Sequence, residues 1–308
     1  MLDPRRLAVL REFATQGTVA RTADALDFTP SAISQQLAAL QREAGVELVR
    51  RSGRRLELTD AGRALVREAD GVLAHLERVQ SDLAAYAGEV RGTVRVAAFE
   101  TAAIALVVPA LRALREAHPG LRAELHELEA EASLPLVARG GLDVVVAEEY
   151  EHAPRPRDGR LHRDYLPEDE MLVALPAGHP AAEPDGPIEL SGLADAEWAT
   201  PRAGTAYAEM FERLCRSVGG FEPAVRHRVN DLGLLLELVT AGCAALVPAL
   251  GGAAADHRVG VHPLRGVTLS RAIFVAVRAS DRSRPSTRTV VAAIGEAAAR
   301  AASSPAGG

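Results

Sequence analysis

The sequence predicts an all-α N-terminal part with a small two-stranded wing, then a long helix, then a larger α/β domain. Three observations carry that expectation. Between Asp3 and Gly45, three apolar-periodic segments are separated by capping and breaking signals. From Leu65 to Tyr86, apolar residues recur at alternating steps of four and three, a heptad stripe. From Thr93 onward, short apolar runs alternate with helical segments, the pattern of helices packed on a sheet.

The elements follow in order. Asp3-Pro4 is a helix start, an acid cap followed by proline at the first helical position. Leu7, Leu10, Phe13 and Ala14 give that helix its apolar face, and Gly17 stops it. Thr18 caps a second helix holding Val19, Ala23 and Leu26. Thr29-Pro30-Ser31 breaks the chain again, and a third helix carries Ile33, Leu37 and Leu40 inward. Glu47 to Leu58 has Val49, Leu56 and Leu58 around the turn Ser52-Gly53, which suits a two-stranded wing. Thr59 caps the long helix, whose stripe of Leu65, Ala69, Val72, Leu76, Val79 and Leu83 is expected to pair two copies of the chain. A single unbroken stripe leaves no second apolar face for contacts within the chain, which is what favours pairing over packing on the helix's own domain.

Gly88 and Gly92 mark a linker. Strands are expected at Thr93–Ala98, Leu121–Leu128, Leu142–Ala147, Met171–Leu175, Ala244–Pro248 and Ile273–Val277. Helices are expected at Thr101–Ala117, Ser133–Arg139, Ala206–Ser217, Leu232–Ala241 and Ser286–Ala302. The alternation implies a parallel sheet. The Ser/Pro/Gly tail that follows is expected to be disordered.

Composition bounds the class. The 308 residues suit two or three packed units, and 48% hydrophobic residues exclude general disorder. The net charge of -6 does not announce a nucleic-acid partner, so charge is read by segment. Residues 1–58 hold nine arginines against seven acids, but four of those arginines crowd into Arg50, Arg51, Arg54 and Arg55. A phosphate backbone responds to such local clustering. The chain has no lysine. No basic region precedes an apolar run at the N-terminus, and no apolar stretch is long enough to span a membrane, so a cytoplasmic protein is expected.

The sharpest signal lies in Thr18–Leu40, TVARTADALDFTPSAISQQLAAL. Opposite the apolar face of the third helix stand Thr29, Pro30, Ser31, Ala32, Ser34, Gln35 and Gln36. Short polar residues at a helix N-terminus suit entry into a major groove. Gln can pair with adenine at two points, and Ser can reach a base edge or a phosphate. Alone, such a face is as well explained by solvation. The basic wing directly after a three-helix unit favours contact of Arg51, Arg54 and Arg55 with phosphates or the minor groove.

Residues Met1–Gly62, including TPSAISQQLAALQREAGVELVRRSGRRLELTDAG, resemble the DNA-binding domain of LysR-type transcriptional regulators. Val49 departs from the pattern, where the family usually has phenylalanine. The resemblance continues through LDVVV at Leu142–Val146, PAGHP at Pro176–Pro180, LVTAG at Leu238–Gly242 and LVP at Leu246–Pro248, to about Arg300. It implies a winged helix-turn-helix in residues 1–58, a linker and dimerisation helix in 59–88, and a periplasmic-binding-protein-like effector domain in 92–302. That domain would have two α/β subdomains, the first from 92–162 and 267–302 and the second from 163–266, with a tail at 303–308. Crossover strands near Leu161–Tyr165 and Gly266–Leu269 would form the hinge.

The resemblance also implies an effector site between the subdomains, at Glu100, Thr101, Glu129 and Glu148 on one side and Arg202, Thr205, Asn230 and Pro248 on the other. Thr101 at a helix start suits an anionic group. The three glutamates instead favour an amine, an amino acid or another cationic or polar effector, unless they point to solvent as most do. The expected partners are double-stranded promoter DNA, a small-molecule effector and a second copy of the chain, with a tetramer implied by the resemblance. A DNA-binding protein whose α/β domain serves only assembly is the alternative. No cofactor is expected. Cys215 and Cys243 are too few for a disulfide scaffold, and the histidines show no paired metal-ligand spacing. With no phosphate loop and no nucleophile elbow, an enzyme is the weaker class.

Overall fold

The structure, a computed structural model, describes residues 1–52, 55–85, 90–150, 154–181 and 186–303. Arg54, Gly53 of the wing turn, Tyr86 at the end of the stripe and residues 304–308 of the tail lie outside the described residues. The chain divides into two compact units, Met1–Ala87 with Arg139–Gly141, and Gly88–Ala138 with Leu142–Gly308.

The first unit is three helices, a wing and a long helix. In α1 (Pro4–Gln16), the Asp3 side chain accepts from the Arg5 N–H, and Gly17 closes the helix at φ 72°. The α2 helix (Val19–Leu26) is capped by Thr18 and ends on Asp27, which takes the left-handed conformation, φ 56°, without being glycine. Asp is among the residues that tolerate this conformation, and it turns the chain into α3 (Pro30–Ala44). Strands β1 (Val49–Ser52) and β2 (Arg55–Leu58) pair antiparallel as the wing. The α4 helix (Asp60–Ala85) follows, with the Thr59 hydroxyl accepting from the Gly62 N–H at 3.0 Å. Leu10, Phe13, Ile33, Leu37, Leu40 and Leu48 form the core, with Val49 buried among them in place of the larger residue expected there.

The heptad stripe on α4 is divided. Ala69 is fully buried in the core of this unit and Leu65 packs against it. Val72, Leu76, Val79 and Leu83 are 46%, 38%, 42% and 65% exposed. Val66 and Leu73, off the stripe, also pack on the core, so the helix does have a second apolar face. The expectation of one face with one use is corrected here. A helix of 26 residues extends about 39 Å, and only its first turns lie over the three-helix core.

The second unit holds a branched, mixed sheet. Strand β3 (Gly92–Ala98) leads to α5 (Glu100–Ala102), a π-helical turn at Ala103–Val107 and α6 (Val108–Ala117), where a single helix was expected. Pro109 cannot donate a hydrogen bond and its ring crowds the preceding turn, and the Val108 N–H returns five residues to the Ala103 carbonyl. Next come β4 (Leu121–Glu127), α7 (Ala130–Arg139), β5 (Val144–Tyr150), β6 (Leu161–Tyr165) and β7 (Asp169–Pro176). The chain continues through β8 (Glu197–Thr200), α8 (Ala206–Leu214), β9 (Ala224–Arg228), α9 (Leu232–Thr240), β10 (Ala245–Pro248), β11 (Val259–His262), β12 (Ser270–Arg278) and α10 (Pro285–Ser303).

The main sheet has the order β10-β7-β12-β5-β3-β4, with β11 also on β7 and β6 also on β12. Among the described residues its parallel pairings are β3 with β4 and β3 with β5, and the other strand pairs in it are antiparallel. Strand β12 is antiparallel to β5, because it returns from the far half of the unit and not through a crossover helix. The expectation of a parallel sheet therefore holds for one part only. Strands β8 and β9 form a separate parallel pair, and neither was expected: AVRHR of β9 is almost wholly exposed and shows no alternation.

Strand β6 pairs along its length with β12 and stays with the first half, so the chain crosses at 166–168. The return crossing was expected as a strand at Gly266–Leu269. It is a turn and coil, and β12 begins at Ser270.

Two apolar layers sandwich the first half of the sheet. Val144, Val146, Ile273, Val275 and Val277 face α6 and α10, while Val145, Ala147, Phe274 and Ala276 face the opposite core. Burial on both faces explains why these strands read as continuous apolar runs. The two-residue period also fixes where the next polar positions point.

Candidate functional sites

In the first unit, the expected groove-reading residues separate by environment. Thr29, Pro30, Ser31, Ser34 and Gln35 are exposed, and Ala32 is half-buried. Thr29 is the N-cap of α3, and its hydroxyl accepts from the Ala32 N–H at 3.2 Å and lies 3.0 Å from the Ser31 hydroxyl. Ser34 donates to the Pro30 carbonyl. Gln36 turns inward, and its Oε1 accepts from Arg6 Nε at 3.1 Å, while Arg6 also pairs with Glu43. Gln36 is thereby removed from the free face. Gln35 has no hydrogen-bond partner among the described residues, and Arg51 and Arg55 stand exposed on the wing. Ser34, Arg50, Arg51 and Arg55 line one groove between α3 and the wing. Gln41, not singled out in the sequence, holds the two edges of that groove together: its Oε1 accepts from Leu48 N–H at 2.9 Å and Val49 N–H at 3.0 Å.

In the second unit, a cavity of about 70 Å³ opens beyond the ends of β3 and β5. Glu100, Thr101, Glu129, Glu148, Thr205, Asn230 and Pro248 all line it. Arg202 does not. It is exposed, and its backbone N–H donates to Asn230 Oδ1 at 3.0 Å, so it positions a lining residue while its own side chain leads away.

Sequence reading missed Arg271, Tyr150, Tyr207, Phe99 and Glu131 in this lining. Their placement follows from strand parity. Glu148 continues the face of Val144 and Val146 on β5, with Tyr150 one step further. Arg271 continues the face of Ile273 and Val275 on β12, and lies opposite Tyr150 in the register. Arg271 is 4% exposed. Its Nη2 lies 2.7 Å from Asp169, Nε donates to the same carboxylate at 2.9 Å, and Nη2 also donates to the Thr101 hydroxyl at 2.8 Å. Its guanidinium sits 4.8 Å over the Phe99 ring. Thr101 Oγ1 thus already accepts from Arg271, and its hydroxyl proton is what it can still offer a ligand.

The glutamates do not simply point to solvent. Glu148 is buried, and that burial pushes its carboxyl up to about 7 against the pull of Arg271. Glu100 and Glu129 are also raised by burial. Glu100 accepts from the Leu232 N–H at 2.9 Å, at the start of α9, and Glu129 accepts from Asn230 Nδ2 at 3.0 Å. Tyr207 closes the floor by donating to the Leu246 carbonyl at 2.6 Å. Cys215 and Cys243 are both buried, and burial pushes the Cys215 thiol up to about 12, which leaves it without thiolate character.

The family model described as "Bacterial regulatory helix-turn-helix protein, lysR family" matches residues 4–63. The model "LysR substrate binding domain" matches residues 87–299. The chain is 28% identical over 178 residues to a probable RuBisCO transcriptional regulator of Chlorokybus atmophyticus, which spans 58% of this chain and about half, 56%, of that relative. It is 24% identical over 290 residues to the HTH-type transcriptional regulator BenM of Acinetobacter baylyi, covering 92% of each. The crystal structure of full-length CbnR complexed with its target DNA superposes with a TM-score of 0.71 at 24% identity, covering 97% of this chain and 100% of that one.

Proposed function

The chain belongs to the LysR family of bacterial transcriptional regulators, and on that premise we propose that it binds promoter DNA as paired copies under the control of a small effector. In this reading α3 enters the major groove, with Gln35 reading a base edge and Ser31 and Ser34 placed at base edges or phosphates. Arg51 and Arg55 hold the phosphate backbone. The exposed residues Val72, Leu76, Val79 and Leu83 pair two copies through α4. The effector enters the cavity lined by Glu148 and Arg271, and shifts the assembly toward whichever state binds it more tightly.

The observation that carries the DNA reading is the groove beside α3. Ser34 and Gln41 of α3 share that groove with Arg50, Arg51 and Arg55. Gln35 is exposed on the same helix just outside its lining, and the side chains of Gln35, Arg51 and Arg55 are uncommitted to a partner among the described residues. The test is footprinting of the purified protein on its own upstream intergenic region at two salt concentrations. Protection of two half-sites about one helical turn apart, roughly 34–36 Å, is the expected result. Protection that is uniform along the DNA and lost with salt would reduce the reading to non-specific binding.

A further inference from the structure

Among the carboxylates of the cavity, Glu148 differs from the rest. Glu100, Glu129 and Glu131 each accept a hydrogen bond from a neighbouring donor. Glu148 is 6% exposed, lines the cavity, and its Oε2 accepts no hydrogen bond. The nearest cation, Arg271 Nη1, lies 3.8 Å away, and Arg271 directs its other donors to Asp169 and Thr101. A buried carboxylate oxygen without a donor is unfavourable, and a ligand that brings a donor relieves it.

The charge around the cavity points the same way. Four carboxylates, Glu100, Glu129, Glu131 and Glu148, line it against one guanidinium, and that guanidinium is already matched by Asp169. An entering anion would meet one guanidinium, with its Nε and Nη2 held by Asp169 and Thr101, among four carboxylates. The rings of Tyr150 and Tyr207, set edge to face at 6.0 Å, add an aromatic wall of the kind that favours a cation.

We propose that the effector carries a small ammonium group, received by the Glu148 carboxylate with Glu129 as the second carboxylate. The inference rests on the effector reading of this cavity and specifies its chemistry. The groups acting on Glu148 are Arg271 from β12, Arg155 from the segment after β5, and Glu129 and Glu131 from the start of α7, with Tyr150 on its own strand. An ammonium ion needs the carboxylate form. Since burial holds Glu148 near 7, binding expels a proton and weakens as the pH falls.

The test uses three near-isosteric probes on the full chain: propylammonium chloride, sodium propionate and propionamide, at matched ionic strength. Each is followed by thermal shift and by calorimetry at pH 6 and pH 8. The expected result is that propylammonium alone raises the melting temperature, and that it binds about tenfold more weakly at pH 6 than at pH 8. In Glu148→Gln the affinity at pH 8 drops at least tenfold and the pH dependence disappears. The pH dependence of the parent stands as evidence even if that variant folds poorly. Propylammonium affinity that is the same in the variant and at both pH values overturns the proposal. Stabilisation by propionate or propionamide but not propylammonium overturns the cation and keeps the cavity as the effector site. No response to any probe overturns both.

Discussion

Single side chains in the two units carry separable jobs, and substitution separates them. Gln35→Ala should flatten discrimination between operator and mismatched DNA by roughly 1–3 kcal/mol, leaving the salt slope unchanged. Arg51→Ala should weaken binding to every sequence and lower the slope of log K against log salt by about 1. Fluorescence anisotropy over a salt series reads both. Glu148 gives a stability prediction. Its folded carboxyl near 7 exceeds its unfolded value near 4.5, so the folded state binds the proton more tightly. The stability this contributes is complete below about pH 4.5 and is lost as pH rises to about 7. Glu148→Gln should therefore match the parent near pH 5 and exceed it on the order of 1–3 kcal/mol near pH 8, by urea denaturation. At this scale the exposed place of Gln35 was legible in the sequence as a polar position on a helix start, and the place of Glu148 beside the cavity came from the family resemblance. Arg271 was not legible, because the residues that make it meaningful, Thr101 and Asp169, lie 170 and 102 residues away. Gln36 read as a groove residue because Arg6, which draws it inward, sits on another helix.

At the level of elements, capping signals translated most directly. Asp3, Thr18, Thr29 and Thr59 each sit where a helix begins, and Gly17 and Gly45 where one ends, because these are short-range bonds between neighbours. The use of an apolar face was less legible, since both faces of α4 obey helical spacing and only tertiary packing assigns them. Gly62 shows how tight that packing is: a Cβ there would lie 2.1 Å from the Leu48 carbonyl oxygen, which also accepts from the Thr59 N–H. Gly→Ala ordinarily favours a helix, yet Gly62→Ala should destabilise the first unit by about 1–3 kcal/mol, read from its thermal unfolding. The exposed stations predict the reverse pattern. Leu76→Asp with Val79→Asp should abolish dimers in sedimentation while the circular dichroism of the monomer stays near the parent's, because neither side chain belongs to the unit's core.

For the molecule as a whole, the cavity lined by Glu148 and Arg271 depends on contacts between the two halves of the second unit. Glu100 and Glu129, at the ends of first-half strands, bind Leu232 and Asn230 of the second half. The carboxylates of one half thus satisfy donors of the other, including the start of α9, where the backbone N–H groups favour negative charge. Asn230→Ala removes the bond to Glu129 and the acceptor for the Arg202 N–H. Amide exchange at Arg202 and Leu232 should rise, with a loss of about 1 kcal/mol in the unit's stability. The domain order was visible in the sequence because each unit has its own periodicity. The mixed sheet was not, since the direction in which β12 returns is a property of the entire path between β6 and β12 and leaves no local mark.

The division of α4 turns chain length into an angle. Leu65 and Ala69 are seated in the core of the first unit, where α4 lies against α1, while Val72, Leu76, Val79 and Leu83 are open along the same helix. Inserting one residue between Ala69 and Val72 would rotate everything beyond it by about 100° and advance it by about 1.5 Å. Two mated copies would then hold their α3 helices at a different azimuth, out of step with one turn of the duplex. Inserting seven residues restores the azimuth to within about 20° but lengthens the rod by about 10.5 Å. If two copies pair there as proposed, the helix is a shaft keyed at both ends, and changes in its length should be tolerated by sevens before they are tolerated by ones.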